Sequence, residues 1–275
     1  MNGAVAISLD KAAVPHSDRR MGGGRIGVKK VLPAFAGLAT LFLLWWIGTD
    51  LLAPTGSFVR RFSPVAAFAA LGRLTLSSDL PYHALVSLQR VAVGLALAIA
   101  LGVPLGLAVG RFRLFDAATT PAFQFLRMIS PLSWMPIAVM VLGVGDKPVY
   151  ALLAFAAVWP ILLNTAAGVR QLDPQWLQLA QSLAATRFET VRGVILPGIL
   201  GHVVTGTRLA IGIVWIVLVP CEMLGVSAGL GYFILDTRDR LAYDELAAAV
   251  LAIGLIGFLL DTAARSLARI WDRHA

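Results

Sequence analysis

Long apolar stretches separated by short polar connections run through most of this chain. A helix needs about 20 mostly apolar residues to cross a bilayer, and stretches of about that length recur along the sequence. The pattern therefore predicts an all-α membrane protein with six transmembrane helices. The predicted spans are 31–53, 84–110, 116–145, 149–169, 198–224 and 246–264.

Three segments depart from this simple alternation. Pro131 and Pro136 interrupt the third stretch, which predicts a kinked or locally unwound backbone there. Residues 64–76 are apolar but too short to span, which favours an interfacial helix. Residues 227–245 contain several charged side chains and are expected to form a polar loop.

The first 30 residues combine Gly, Ala and Ser with six Lys or Arg residues. This composition predicts a disordered basic tail. The apolar stretch that follows is too long and too rich in Trp and Phe for a secretory signal core. We therefore expect a tail over 1–30, a first span with an interfacial segment over 31–83, and the main membrane domain over 84–270.

Composition supports a membrane protein and excludes several other classes. Of the 275 residues, 58% are hydrophobic and 14% are charged, whereas soluble domains carry about 25% charged residues. The net charge of +8 does not predict nucleic-acid binding, because the basic residues cluster at the ends of apolar runs. The one cysteine, Cys221, allows no internal disulfide, and no Cys or His cluster predicts a metal site.

The basic residues also predict the orientation in the membrane. Of the 23 Lys and Arg residues, 14 fall on the side of the two termini and 6 on the other side. The other three, Arg90, Arg127 and Arg208, lie within or near spans. Since the side richer in Lys and Arg faces the cytoplasm, we expect both termini to be cytoplasmic in a bacterial inner membrane.

The longest polar interruption between spans, residues 173–197, begins with strong helix signals. Asp173 suits an N-cap and Pro174 the first helical position. An apolar face then recurs at helical spacing, formed by Trp176, Leu179, Ala180 and Leu183. Such a helix, predicted over about 174–187, either docks another protein or lies on lipid.

Polar residues inside the predicted spans are the candidates for function. Glu222 must be paired, protonated or in contact with water, so it either bonds another helix or lines a pathway. Asn164 is expected to bond a neighbouring helix. Ser133, Trp134, Met135 and Trp215 are further candidates for lining a pathway, although Trp and Met in spans commonly serve packing.

Neither a catalytic constellation nor a nucleotide-binding signature is present. The sequence has no G-x-x-x-x-G-K-[ST] loop, no Ser-His-Asp arrangement and no H-E-x-x-H. The chain is therefore not expected to be an enzyme. If ATP drives it, ATP and magnesium are bound by a separate chain, and no cofactor is expected here.

The stretch LQLAQSLAATRFETVRGVILP resembles the EAA signature of binding-protein-dependent ABC importer permeases. Gln178, Leu179 and Ala180 stand where that family has Glu-Ala-Ala, and Ala184 replaces its Gly. Residues 194–197 supply the closing Ile-x-Leu-Pro. The resemblance implies that this segment docks an ATPase, with contacts from Trp176, Gln178, Leu179, Ala180, Leu183, Ala184 and Arg187.

Further stretches are similar to the nitrate, sulfonate, taurine and bicarbonate branch of these permeases: ISPLSWMPIAVMVLGVGDKP, WPILLNTAAGV, TGTRLAIGIVWIVLVPCEML and GLGYFILDTRDRLAY. The resemblance implies a type I ABC importer transmembrane domain that pairs with a second permease copy. It also implies two ATPase subunits and an extracytoplasmic solute-binding protein as partners. The residues expected to line the pathway are Ser133, Trp134, Met135, Asn164, Trp215 and Glu222.

Two other classes compete with an ATP-driven importer. A secondary transporter driven by an ion gradient needs membrane carboxylates and an internal inverted repeat, whereas only Glu222 stands convincingly within a span. A membrane-anchored subunit or enzyme of lipid metabolism needs a catalytic constellation and leaves the docking segment unexplained. Co-purification of an ATPase chain distinguishes the three.

Overall fold

The computed structural model describes residues 28–54 and 56–271, and every regular element within them is helical. Of these residues, those up to Leu44 form one unit and those from Trp45 onwards form a second. Helix α1 (Val28–Trp46) continues through a π-helical turn, Ile47–Leu51. The predicted tail lies outside the described residues, except that residues 28–30 begin α1.

The other α-helices follow the predicted order of apolar stretches. They are α2 (Pro64–Leu76), α3 (Asp79–Arg111), α4 (Arg113–Met128), α5 (Met135–Leu142), α6 (Asp146–Gln171), α7 (Pro174–Ser182), α8 (Arg187–Thr190), α9 (Leu196–Glu222), α10 (Leu230–Asp239) and α11 (Tyr243–Trp271). A π-helical turn, Val191–Ile195, joins α8 to α9 without a break. Pro197 has no N–H to donate to the preceding turn, which fits a widened helix there.

Within the described ranges, four helices are long and apolar enough to cross a membrane. They are α3, α6, α11 and the continuous helix Arg187–Glu222. Helices α4 and α5 form a fifth span if the bent pair is counted as one. The predicted total of six also needs the first span, of which residues 28–35 are not described at the level of side chains. The six-helix count therefore stays a prediction.

The third predicted span is two helices rather than one. Helix α4 ends at Met128, and the following helix is bent by 88° relative to it. Ile129 and Ser130 are extended, and a 3-10 turn begins at Pro131. Since the residue before a proline is driven away from the helical region, Pro131 accounts for the break. The predicted interruption is confirmed, and it is sharper than a kink.

The segment 227–245 was expected to be a polar loop, and this prediction is wrong. Helix α10 occupies ten of its residues. Leu230 and Phe233, three residues apart, are buried in a cluster with residues of α2 and α11. Tertiary packing of one narrow apolar face therefore outweighs the polar composition.

Helix α6 is the centre of the fold, packed between α3 and α9. A seam of small residues lets α3 approach it closely: Gly94, Ala98, Gly102, Gly106 and Gly110. A Cβ on Gly106 would lie 2.6 Å from the Cβ of Thr165. Small residues at a spacing of four allow helix backbones to meet in a membrane, where no hydrophobic effect drives helices together.

The antiparallel arrangement of α6 and α9 defines two ends of the bundle. Helix α7 joins the last turn of α6 to the helix that leads into α9. At the opposite end, the turn before α6 meets the turn after α9, where the N–H of Gly145 donates to the Gly225 carbonyl at 3.1 Å. Helix α6 has 26 residues and is about 39 Å long, so the two ends lie on different sides of a bilayer.

Candidate functional site

A buried ion-pair network closes the end of the bundle opposite α7. Arg90 of α3 donates through Nη1 to Oε1 of Glu222 of α9 at 2.7 Å. Its Nε and Nη2 donate to Oδ1 of Asp146, the first residue of α6, at 2.9 and 2.6 Å. The Glu222 and Arg90 side chains are 0% and 4% exposed, whereas that of Asp146 is 50% exposed. One guanidinium therefore ties three helices together.

Every oxygen of the buried carboxylate has a donor. The Ser87 hydroxyl lies 2.8 Å from both oxygens of Glu222, and the N–H of Gly231 donates to Oε2 at 2.9 Å. The N–H of Leu230 donates to the Ser87 hydroxyl at 2.8 Å. A fully buried charge is tolerated only when it is paired and hydrogen-bonded, and Glu222 meets both conditions.

The loop before α10 covers this network with backbone. Arg90 also donates to the Ala228 carbonyl at 2.6 Å, and the N–H of Gly229 donates to Nδ1 of His83 at 3.0 Å. Gly229 has φ +114°, and a Cβ there would lie 2.5 Å from both Nη1 of Arg90 and Cδ of Glu222. Only glycine fits this position, on grounds of both conformation and space.

The sequence pointed to Glu222 but not to its partner. Of its two predicted roles, the bond to another helix is what the structure shows; the carboxylate is fully buried, so Glu222 does not line a water-filled pathway in this conformation. For Arg90 the sequence indicated only that it is one of three arginines within or near spans. A charge in an apolar run requires a counter-charge at the same depth, and this rule would have linked Arg90 to Glu222.

The residues around the break after α4 have three different surroundings. Ser133 is exposed, whereas Met135 is 4% exposed and packs in the core formed by α3, α6 and α9. Trp134 lines an apolar cavity of about 350 Å³ with Phe155, whose ring lies 6.0 Å away. These three neighbours in sequence therefore do not form one surface.

Two further residues predicted to line a pathway also differ in their surroundings. Asn164 donates to the Pro160 carbonyl of its own helix at 2.8 Å, so the expected bond to a neighbouring helix is not made. Its side chain lines a cavity of about 390 Å³ between α6, α9 and the break. Trp215 is half-buried, and its indole lies where a Cβ on Gly257 of α11 would be. Trp215 thus has a packing role in this chain.

Helix α7 begins as its sequence predicts. The Asp173 side chain accepts from the N–H of Gln175 at 2.9 Å, and Pro174 occupies the first turn. Leu177 packs against the cluster formed by Val169, Ile195 and Ile199, and Ala180 is buried as well. The predicted docking residue Ala180 is 5% exposed and lines the groove beside this helix.

The adjoining side of α7 is apolar and exposed. Trp176, Leu179 and Leu183, called the docking face below, are 60%, 53% and 74% exposed. Gln178, Ala184 and Arg187 are exposed as well. A groove of about 780 Å³ runs between this face and the start of the next helix, where it reaches Glu189, Gly193 and Val194.

Helix α7 ends at Ser182, earlier than the predicted 187, and a tight turn follows. Ala184 has φ +51°, a left-handed conformation that residues other than glycine usually avoid. Thr186 and Glu189 then form a capping box, with Thr186 N to Glu189 Oε2 at 2.7 Å and Glu189 N to Thr186 Oγ1 at 3.3 Å. The T-x-x-E sequence was a recognisable helix start that the prediction of one helix over 174–187 overlooked.

The described ranges hold no group of three or more His, Cys, Asp or Glu residues that could bind a metal ion. Two features of the described residues stand out: the docking face at one end of the bundle and the buried ion pair at the other. They belong to a membrane transport subunit built around a helical bundle.

Comparisons with known proteins specify this class. The family of binding-protein-dependent transport system inner membrane components matches residues 98–275. The bicarbonate transport system permease protein CmpB of Synechococcus elongatus is 34% identical over 258 residues, covering 88% of this chain and 92% of that protein. The nitrate import permease protein NrtB of Synechocystis is 30% identical and covers 85% and 86%. The taurine transport system permease protein TauC of Escherichia coli is 29% identical and covers 88% and 89%.

A solved structure shows the same fold. The MetNI methionine ABC transporter matches with a TM-score of 0.54 at 16% identity, covering 67% of this chain and 92% of the matched chain. The chain belongs to the family of binding-protein-dependent transport system inner membrane components. It is a permease subunit of the ABC importers in the nitrate, sulfonate, taurine and bicarbonate branch, not an enzyme.

Proposed function

We propose that this permease carries a small anion or organic solute, such as bicarbonate, nitrate, taurine or another sulfonate, across the bacterial inner membrane. The relatives' names support this substrate class, since the bicarbonate, nitrate and taurine permeases named above match 85–88% of this chain. Two copies of the chain form the translocation pathway. Two ATPase subunits, which bind ATP and magnesium, and an extracytoplasmic solute-binding protein complete the importer.

The docking face of α7 carries this proposal. Trp176 and Leu179 project from the nine-residue α7, and Leu183 projects from the residue after it. An adjoining side of the helix anchors it to the bundle. Exposed Trp and Leu at helical spacing suit insertion into an apolar groove of a partner. The adjoining groove of about 780 Å³ offers room for a partner side chain.

Movement of the ATPases reaches the membrane through continuous backbone. The helix Arg187–Glu222 begins beside the docking face and runs without a break to the buried ion pair. A rigid helix of 36 residues transmits a displacement of its first turn along its length. With the termini and α7 in the cytoplasm, as the Lys and Arg distribution favours, the ion-pair end faces the solute-binding protein.

The paired state of Glu222 argues against the secondary transporter. Ion coupling needs a carboxylate that takes up and releases a cation or proton in each cycle. Glu222 is instead fully buried, paired with Arg90 and bonded by Ser87 and Gly231. A carboxylate held in this way serves structure.

Reconstitution of the complete importer tests the proposed function. The chain is co-expressed with its ATPase and solute-binding-protein partners, purified, and placed in liposomes. We expect an ATPase chain to co-purify, and uptake of labelled bicarbonate, nitrate or taurine to need ATP and the binding protein. Uptake that ignores ATP but collapses with a proton-gradient uncoupler would establish the secondary transporter instead.

A further inference from the structure

Helix α4 carries a stripe of polar residues along one face. Asp116, Thr120, Gln124 and Arg127 recur at intervals of four, four and three residues, so they share one face of the helix. The other faces carry large apolar residues such as Leu114, Phe125 and Met128, all highly exposed. No residue of α4 is buried within this chain. The stripe is thus a polar track along a helix whose other faces carry mainly apolar residues.

The stripe faces α6 across two neighbouring cavities. The first, about 170 Å³, is lined by all four stripe residues and by Arg170 at the end of α6. The second, about 390 Å³, extends past the break at Pro131 to Asn164 and to α9. Arg127, Trp159 and Leu163 line both cavities. Arg127 therefore lies where the two cavities adjoin. Together the cavities lead from the α7 end of the bundle towards its middle.

The charges along this track leave one cation without a counter-ion. Asp116 pairs with Arg170 at 2.8 Å and accepts from the Thr120 hydroxyl at 2.7 Å. The pair neutralises both of its members. Of the charged side chains that line the two cavities, Arg127 alone forms no hydrogen bond or ion pair with any described residue.

A second group at the same junction lacks a partner. Trp159 is 9% exposed, and its indole N–H is buried with no acceptor among the described residues. The rings of Phe123 and Phe155 lie 5.7 and 5.5 Å from the indole and fix it in place. Two donors beside the cavities, the guanidinium of Arg127 and the indole N–H of Trp159, thus lack acceptors among the described residues. The one carboxylate that lines the cavities, Asp116, is already paired with Arg170.

We propose that Arg127 is an anion-binding residue of the translocation pathway, where its guanidinium receives the oxyanion, carboxylate or sulfonate group of the transported solute. This inference rests on the proposed function and specifies its substrate class. Arg127 lines both cavities together with Trp159, which lies midway along the 26-residue membrane-spanning α6, so its guanidinium is well inside the bilayer. An arginine at such depth marks a solute or ion path when protein does not neutralise it.

The geometry also limits the ligand. A guanidinium offers a planar fork that matches two oxygens of a nitrate, bicarbonate or sulfonate group. Cavities for drug-sized ligands measure roughly 300–1,000 Å³, so the first cavity, at about 170 Å³, suits a small ion. The wider cavity beyond it accommodates the organic part of a solute such as taurine.

Substitutions in the complete importer test this role. Liposomes containing the ATPase, the binding protein and each variant are assayed with labelled nitrate, bicarbonate and taurine. We expect Arg127→Gln to lower uptake about tenfold or more, since it removes a charge-assisted contact, and Arg127→Lys to lower it less. Binding-protein stimulation of ATP hydrolysis should persist. Arg208→Gln is the matched control, because Arg208 is also an exposed arginine within a span but lines neither cavity.

A charge-rescue measurement separates binding from folding. Arg127→Cys in a Cys221→Ala background should lose uptake, and a cationic methanethiosulfonate reagent should restore it where a neutral one of similar size does not. Nitrate should slow the reaction of this cysteine. Equal losses for Arg127→Gln and Arg208→Gln, or rescue by both reagents, would overturn the assignment. If the unmodified importer takes up none of the probes, the proposed function fails; if it does and Arg127→Gln matches it, only this inference fails.

Discussion

The guanidinium of Arg90 and the carboxylate of Glu222 lie 2.7 Å apart, although 132 residues separate them in sequence. Both are buried, and Asp146 supplies a second counter-charge to the arginine from the surface. The cluster thus contains one buried cation with two carboxylates, only one of which is also buried. Removing the Arg90 charge should therefore destabilise the protein more than removing the Glu222 charge.

Arg90→Gln should destabilise the protein by about 3–5 kcal/mol, because it leaves the Glu222 carboxylate buried without a counter-charge. Thermal unfolding in detergent measures this loss. Arg238→Gln is the control, since it removes an ion pair whose side chains are both more than half exposed and should cost less than about 1 kcal/mol. An unchanged unfolding midpoint for Arg90→Gln would contradict a structural ion pair.

Glu222→Gln should be tolerated better. Glutamine still accepts one hydrogen bond through its carbonyl oxygen, and Asp146 continues to balance Arg90. We expect the variant to fold and to retain substantial ATP-dependent uptake in liposomes, without response to a collapsed proton gradient. Complete loss of uptake in a well-folded variant, with uncoupler sensitivity of the unmodified protein, would support ion coupling.

The docking face gives a prediction about assembly. Leu179→Asp or Leu183→Asp places a charge on an apolar surface that an ATPase groove must desolvate, so the ATPase should no longer co-purify. Gln175→Asp on the exposed first turn of the same helix should leave the yield unchanged. An unaltered yield of ATPase with both leucine variants would remove α7 as the docking element.

Replacing Ala184 with glycine should stabilise the protein. Its φ of +51° costs a non-glycine residue about 1–2 kcal/mol, which glycine does not incur. Ala184→Gly is therefore expected to raise the thermal midpoint of the assembled importer. Ala185→Gly is the adjacent control; because φ is not positive there, glycine should lower stability by about 0.4–1 kcal/mol. The same sign of shift for both variants would contradict strain at position 184.

The seam between α3 and α6 predicts sensitivity to added bulk. Gly106→Ala puts a methyl group 2.6 Å from the Cβ of Thr165 and 2.7 Å from the Leu162 carbonyl, so the helices must separate. Overpacking of this kind costs about 1–3 kcal/mol. Gly254→Ala on α11 has open space around the new methyl and should be neutral or mildly stabilising. Comparable unfolding midpoints for the two variants would contradict close packing at Gly106.

The sequence by itself determined the class of protein, the position of its long helices and the start of the docking helix. Hydrophobic stretches long enough to span a bilayer are a local property, so their location needs no knowledge of packing. The cap at Asp173 and the break at Pro131 are local as well, because each depends on backbone groups within a few residues.

Only the tertiary structure decided which polar residues meet. The partners of Glu222 come from α3 and from the first turn of α10, and Asp146 of α6 joins the network through Arg90. No spacing rule relates these positions. The same holds for Ala180 and Leu183, which the helical pattern placed on one apolar face but which prove buried and exposed. A helical period states which side chains are neighbours on a helix, whereas the packing of other helices against it decides which of them face the interior.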